Sequence, residues 1–469
     1  MDKATVATPG KTWQKRSLIF ELICDLLGGT AAMRAAGEKW LPKEPSEARQ
    51  VYNGRLNRSI LYGAFKDTIK RLTSKPFSKP VTIDGNLPEL LEAIRWDVDR
   101  TGKDLDEFAR EAFSSSLKYG WVGALVDYPR MQRGATIADE KAAGARPTFV
   151  LVEATQLLGF KMVQDEQTGH HVLDEVRIHE SMTETDGAWG EKETERVRVY
   201  KRDTWEIWTK SDNEGEWVKS EEGPHTFGRV PFDVFYTNRA GYLDADPPLE
   251  DLAWLNLAHW QSLSDQRNLL RFVRCGILFA KGFSQEEVDN GIVIGPNNIV
   301  SSTNGEAVLS YVEHSGKGLD AGADDISALE ERMEVMGLQP LISRTAKSTA
   351  TGKVLDESRS STDIMAWIDD EQAWLRRLFE MAGQWTSVVV PDDFSISIFR
   401  DFGIGHQAQE QIKSLTALRQ SGDITRRTLL KEVKRRGLLH DELDVEEELE
   451  AIESEGPSIG GIGVTDESE

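Results

Sequence analysis

An α+β fold is predicted by three observations. Apolar residues recur at helical spacing through the first 120 positions and again beyond 249. Between them lies a run of short segments rich in Val, Ile, Trp and Tyr, divided by polar turns, and glycine or proline marks each change of period. The 469 residues exceed one ordinary core, so two to four structural units are expected, and 13 Trp with 17 Phe can fill them. Acidic residues outnumber basic ones 79 to 56, a formal charge of −23, which disfavours tight binding to nucleic acid or anionic membrane unless cations are concentrated locally. No stretch approaches the length of uncharged apolar chain needed to cross a membrane; the nearest, 17–28, carries Glu21 and Asp25. Cys24 and Cys275 sit among apolar neighbours and are expected to be buried free thiols in a reducing compartment.

Residues 1–12 are small and polar and predict a mobile arm. A helix follows over 13–27, stopped by Gly28-Gly29, and a second amphipathic helix is expected over 47–73, ended by the prolines of 74–80. A third, 105–117, leads into a buried strand at 120–126, and the basic, Gly- and Ala-rich 130–146 reads as a surface excursion. Strands are expected at 148–152, 172–179, 196–201, 204–209, 216–219 and 232–236, forming an antiparallel region. Pro247-Pro248 then introduces 249–274, free of Gly and Pro, a helix of about 39 Å at 1.5 Å per residue. Its apolar residues make a stripe, so it should pack along one side.

A small β module at 277–280, 292–294, 299–301 and 308–312 is inserted before the next helix, marked by Ile326, Leu329, Met333 and Met336. Residues 341–362 are hydroxyl-rich and locally basic, poor core material, and read as a loop running into a long helix whose stripe covers 364–385. A single strand at 394–398 and two helices over 409–439, turning at Ser421-Gly422-Asp423, precede an acidic segment, 441–455, and a Gly-rich tail expected to fray.

The common nucleotide and zinc signatures are missing: no G-x-x-x-x-G-K-[ST] loop, no G-x-G-x-x-G after a strand, no G-x-S-x-G elbow and no H-E-x-x-H helix. His170, His171 and His179 near Asp174 and Glu175 fall in a polar hairpin and read as surface residues. The carboxylates Asp324-Asp325 and Asp369-Asp370-Glu371 are the residue types that hold Mg²⁺ in a nuclease, although a solvated helix face is the simpler account. A helix over 425–439 carries Arg426, Arg427, Lys431, Lys434, Arg435 and Arg436, but the acidic run beginning a few residues later opposes phosphate binding.

Several segments, taken in order, resemble the portal proteins of tailed bacteriophages, in particular their compact class. They are Trp40-Leu41-Pro42, YNGRL at 52–56, Lys79-Pro80, YGWVGALVDYP at 119–129, PPLEDLAWLNLAHWQS at 247–262, Thr349-Ala350-Thr351 and SGDIT at 421–425. Each is short; their order and spacing carry the resemblance. It implies a ring, usually of twelve subunits, at one capsid vertex of a virion assembled in the host cytoplasm, through which double-stranded DNA is packaged and ejected. On that pattern 1–12 is a flexible arm, 13–246 the wing, 247–274 the first stem helix, 275–320 the clip, and 321–340 the second stem helix. The tunnel loop with the start of the long helix is 341–360, 361–403 returns to the wing, 404–445 is a short crown, and 446–469 is the tail.

The resemblance implies DNA-channel residues Ser343, Arg344, Thr345, Lys347, Ser348, Thr349, Thr351 and Lys353, touching phosphates weakly and without base readout. It implies no enzymatic activity and no cofactor or metal. Its partners would be other copies of the chain, DNA in transit, terminase, a neck or tail adaptor, and the capsid and scaffold proteins, with no membrane. The rival expectations are a metal-dependent nuclease using the clusters near Asp324 and Asp369, or another neck or adaptor ring protein.

Overall fold

The computed structural model describes residues 4–129, 144–165, 169–187, 189–211, 216–275, 277–284, 302, 304–312, 317–338, 350–400, 415–435 and 445–454. Most of the expected excursion at 130–146, the strands at 292–294 and 299–301 and the Gly-rich tail fall outside them. The chain is α+β and forms two units, Met1–Phe77 with Val81–Ser397, and Ser78–Pro80 with Ile398–Glu469.

In the larger unit α1 (Lys11–Ala36) buries Ile19, Phe20, Leu22, Ile23, Leu26 and Met33. The Gly28-Gly29 pair kinks this helix rather than stopping it. Gly29 takes φ 74°, ψ −156°, open to a residue without Cβ, and helical bonding resumes beyond it to Gly37. The single helix expected over 47–73 is likewise two, α2 (Arg49–Arg58) and α3 (Ala64–Ser74). Tertiary bonds break it. Ser59 is extended, its hydroxyl bonds the Arg55 carbonyl and Ser264 Oγ (2.8 Å), and Asn256 accepts from Phe65 N while donating to Tyr62 O.

Beyond these come β1 (Thr82–Asp84) and α4 (Glu89–Trp96), too short to have been predicted, then α5 (Leu105–Tyr119). Asp104 caps α5 by accepting from Glu107 N, and Gly120 ends it at φ 84°, where a Cβ would also come within 2.8 Å of Ala245 Cβ. The buried strand is β2 (Trp121–Asp127), centre of an antiparallel sheet with β3 (Thr148–Glu153) on one side and β9 on the other. An antiparallel five-stranded meander runs β4 (Leu157–Gln164), β5 (His171–Asp186), β6 (Gly190–Lys201), β7 (Thr204–Lys210) and β8 (Trp217–Pro224). Of these β4 was not expected, since LLGFKMVQ has one β-branched residue and a glycine. β9 (Phe232–Tyr236) closes the three-stranded sheet, followed by the small ladder of β10 (Arg239–Gly241) and β11 (Asp244–Ala245).

Three helices complete this unit: α6 (Glu250–Cys275), α7 (Lys317–Leu338) and α8 (Ala350–Thr386). Between α6 and α7 lies the ribbon β12 (Ile277–Lys281) and β13 (Val308–Val312); β14 (Ser395–Ser397) pairs with β1. The core forms where α5 and α8 meet the three-stranded sheet. Phe108 stacks on Trp374 (5.9 Å between centroids), Phe149 meets Phe379 edge-on, and Phe379 packs on Phe394. Trp367 Nε1 donates to Thr237 O at 2.8 Å and Trp385 Nε1 to Val126 O at 2.9 Å, fastening α8 at both ends of the sheet. Among the described residues no helix is long and apolar enough to cross a membrane. Cys24, expected to be buried, is exposed as a residue, while its sulfur turns towards Tyr119 Oη at 3.4 Å, where partial desolvation raises the thiol's pKa.

The smaller unit contributes α9 (415–421), α10 (Arg426–Arg435) and the acidic α11 (Val445–Ser454). The expected turn at Ser421-Gly422-Asp423 is present, with Gly422 at φ 86°. The basic α10 packs against the acidic α11.

Candidate functional site

The segment with the most distinctive geometry is the helical hairpin α6 and α7 with its β ribbon. Pro247 and Pro248 cannot extend a helix backwards, so α6 starts beyond them, and the Pro247 carbonyl accepts from Glu250 N at 3.1 Å. Glu250 and Asp251 in its first turn and Arg274 in its last oppose the helix dipole in the favourable sense. The antiparallel α7 starts at 317, several residues before the stripe that marked it, with Asp320 in its first turn. Leu329 and Met333 bury against α6, His259 Nε2 meets Glu330 Oε1 at 3.0 Å, and Gln266 Nε2 donates to Leu319 O at 2.7 Å. Near its end Gly337 lets α7 approach closely, because a Cβ there would lie 2.6 Å from Thr68 Oγ1 and 2.9 Å from Leu252 Cδ2.

The lower turns of α6 are tied to the body. Besides the Asn256 and Ser264 bonds, Gln261 Nε2 donates to Trp40 O, and the fully buried Trp260 fills the space between. Asp265 reaches Arg55 at 3.0 Å, and Arg55, itself buried, also binds Glu47 at 2.9 Å. The Arg55 guanidinium holds the Glu47 carboxyl below its ordinary pKa.

Above Asp265 the helix face changes character. Ala253, Asn256, Trp260 and Ser264 are buried, and the same 3–4 spacing continues into Arg267, Arg271 and Arg274, all exposed. Together with Arg58 at the end of α2 they line a groove of about 440 Å³, and none of these four has an ion-pair partner among the described residues. Sequence reasoning missed this cluster by following apolar periodicity alone; the arginine spacing at 267, 271 and 274 was its signal. On α7, away from its contact with α6, Asp320, Asp324 and Glu331 are exposed and equally unpaired among the described residues, and Glu331 with Ser327 also lines a groove against Asp67 and Arg71 of α3. In the ribbon, Phe279 and Val308 share one face and are each 49% exposed.

Of the expected channel residues, Ser343, Arg344, Thr345, Lys347, Ser348 and Thr349 lie outside the described residues. Thr351 and Lys353 fall in the first turns of α8, whose backbone is helical from Ala350. The metal-type clusters do not assemble: among the described residues no three His, Cys, Asp or Glu side chains are placed to hold an ion. Asp369 and Asp370 are exposed, but Glu371, expected on the same solvated face, is 0% exposed and neither carboxyl oxygen has a hydrogen-bond partner among the described residues. Burial raises its pKa well above the ordinary glutamate value. Near the histidines, Glu175 is buried and paired with Lys161 at 2.9 Å.

A family model described as a domain of unknown function, DUF4055, matches residues 248–386, the stretch from the start of α6 to the end of α8. Among curated proteins none matches the chain. Solved structures that resemble it include a chain in the virion of a native gene transfer agent (GTA) particle, 10% identical, covering 86% of this chain and 97% of its own, with a TM-score of 0.45. Another is in the neck of an empty GTA particle computed with C6 symmetry, 10% identical, covering 87% and 98%, TM-score 0.44. A third is in the neck of a native GTA particle computed with C12 symmetry, 10% identical, covering 86% and 97%, TM-score 0.42.

Proposed function

We propose that the chain is a portal-type subunit, many copies of which close into a ring at one vertex of a virion and form a conduit for double-stranded DNA. The observation that carries this reading is the α6–ribbon–α7 hairpin: two antiparallel helices of 26 and 22 residues, secured to the body at one end and carrying a β ribbon at the other. A helix pair that leaves its own body with charged, uncovered faces suits an element that neighbours flank. The sequence resemblance to portal proteins points the same way, with α6 and α7 as stem, the ribbon as part of the clip and 341–360 as the tunnel loop with the start of the long helix α8.

In this reading the chain is not an enzyme. A conduit must let DNA slide, and each cation–phosphate contact adds affinity and therefore friction, so an acidic chain with few channel cations suits the task. Ser343, Arg344, Thr345, Lys347, Ser348, Thr349, Thr351 and Lys353 would supply light, sequence-blind contacts. The exposed face carrying Phe279 and Val308 would dock terminase during packaging and a neck or tail adaptor afterwards.

Negative-stain images and native mass measurement of the purified chain test the proposal. A ring with a central hole is expected; a compact monomer at high concentration overturns it.

A further inference from the structure

We propose that the basic groove between α2 and α6 of one copy receives the acidic outer face of α7 of the next, so that copies join head to tail. This rests on the ring reading above and identifies the contact that closes it. Arg58, Arg267, Arg271 and Arg274 converge on one groove without a carboxylate among the described residues, whereas Arg55 beside them is held by Glu47 and Asp265. Four guanidinium groups so close repel one another, and in a chain of −23 they mark a place that an anionic surface neutralises.

That surface is on the same chain. Asp320, Asp324 and Glu331 stand at i, i+4 and i+11 on α7, with Ser327 at i+7 keeping the stripe polar and exposed. The groove lies on the α2 side of α6, whereas the stripe runs along α7 from Asp320 and Asp324 to Glu331, which borders α3, and among the described residues no ion pair joins groove and stripe within one chain. Two different patches that complement each other define a heterologous contact, which propagates from copy to copy until the rotation closes. A two-fold contact through either patch alone would oppose like charges. Charged networks of this kind fix register and exclude wrong partners more than they add affinity. Three or four arginines in a groove would also suit a DNA phosphate backbone, but the net charge of −23 on the chain disfavours that occupant.

Charge reversal in the full-length chain tests the contact. R267E/R271E and D320K/D324K, each folded by circular dichroism and melting temperature, are expected to need at least tenfold more protein than wild type for half-assembly in sedimentation. Mixed together they are expected to assemble again, because the reversed groove of one accepts the reversed stripe of the other. If both variants form rings at the wild-type concentration, or if the mixture fails where each alone has failed, the proposed contact is wrong while the ring reading stands. If wild type itself stays monomeric, the ring reading falls and takes the contact with it. A duplex oligonucleotide that binds wild type and not R267E/R271E, with assembly unchanged, would reassign the groove to DNA.

Discussion

Glu371 shows how a single residue can be misjudged by its chemistry and judged rightly by its spacing. Grouped with Asp369 and Asp370 it looks like part of a solvated acidic face, yet 364, 368, 371, 375, 378 and 382 follow the 3–4 period of the buried stripe of α8. The period wins, and the carboxyl enters the core without a partner among the described residues. Since burial raises its pKa, the folded chain keeps this proton at pH values where the unfolded chain releases it. Stability contributed by this site is therefore lost as pH rises above the ordinary glutamate value of about 4.3, at a slope of about 1.4 kcal/mol per pH unit, until the folded pKa is passed. Glu371→Gln removes that dependence. Urea unfolding at pH 4 and pH 8 should show the variant gaining on wild type at the higher pH, with the gap closing at the lower; equal gaps at both would contradict the buried carboxyl.

At the scale of elements, the sequence announced those whose own residues specify them. The buried strand β2, the long α6 and the stripe of α8 all follow from apolar spacing and from the Gly and Pro that bound them. Elements set by distant partners were not legible. The break between α2 and α3 depends on Ser264 and Asn256, some 190 to 205 residues away, and the continuation of α1 through Gly29 depends on what its second half buries. The tight docking of α7 is of the same kind, since Gly337 matters only because Thr68 and Leu252 face it. Gly337→Ala is expected to cost about 1–3 kcal/mol through overpacking, read by chemical denaturation. A separate consequence belongs to the proposed tunnel loop: deleting 341–348 should leave ring assembly intact and lower DNA packaging or retention. Undiminished packaging would remove that role.

For the whole molecule the informative quantity is where charge remains unneutralised rather than its total. Net acidity was readable from composition, and it argued against a tight DNA binder. What composition could not reveal is that arginines and carboxylates of one hairpin sit on different sides of it, because that separation exists only once α6 and α7 are antiparallel. The candidate site was thus half legible: its helices, ribbon and hydroxyl-rich tract were visible as segments, whereas its charged groove depends on α2 lying alongside α6.

The two indole anchors of α8 have a mechanical consequence. Trp367 and Trp385 are fixed to opposite ends of the central sheet across about 27 Å of helix, so the helix cannot spin about its axis without breaking both bonds. Turning α8 against the sheet therefore has to break hydrogen bonds at both ends at once, so the two indoles fix the helix's rotational setting.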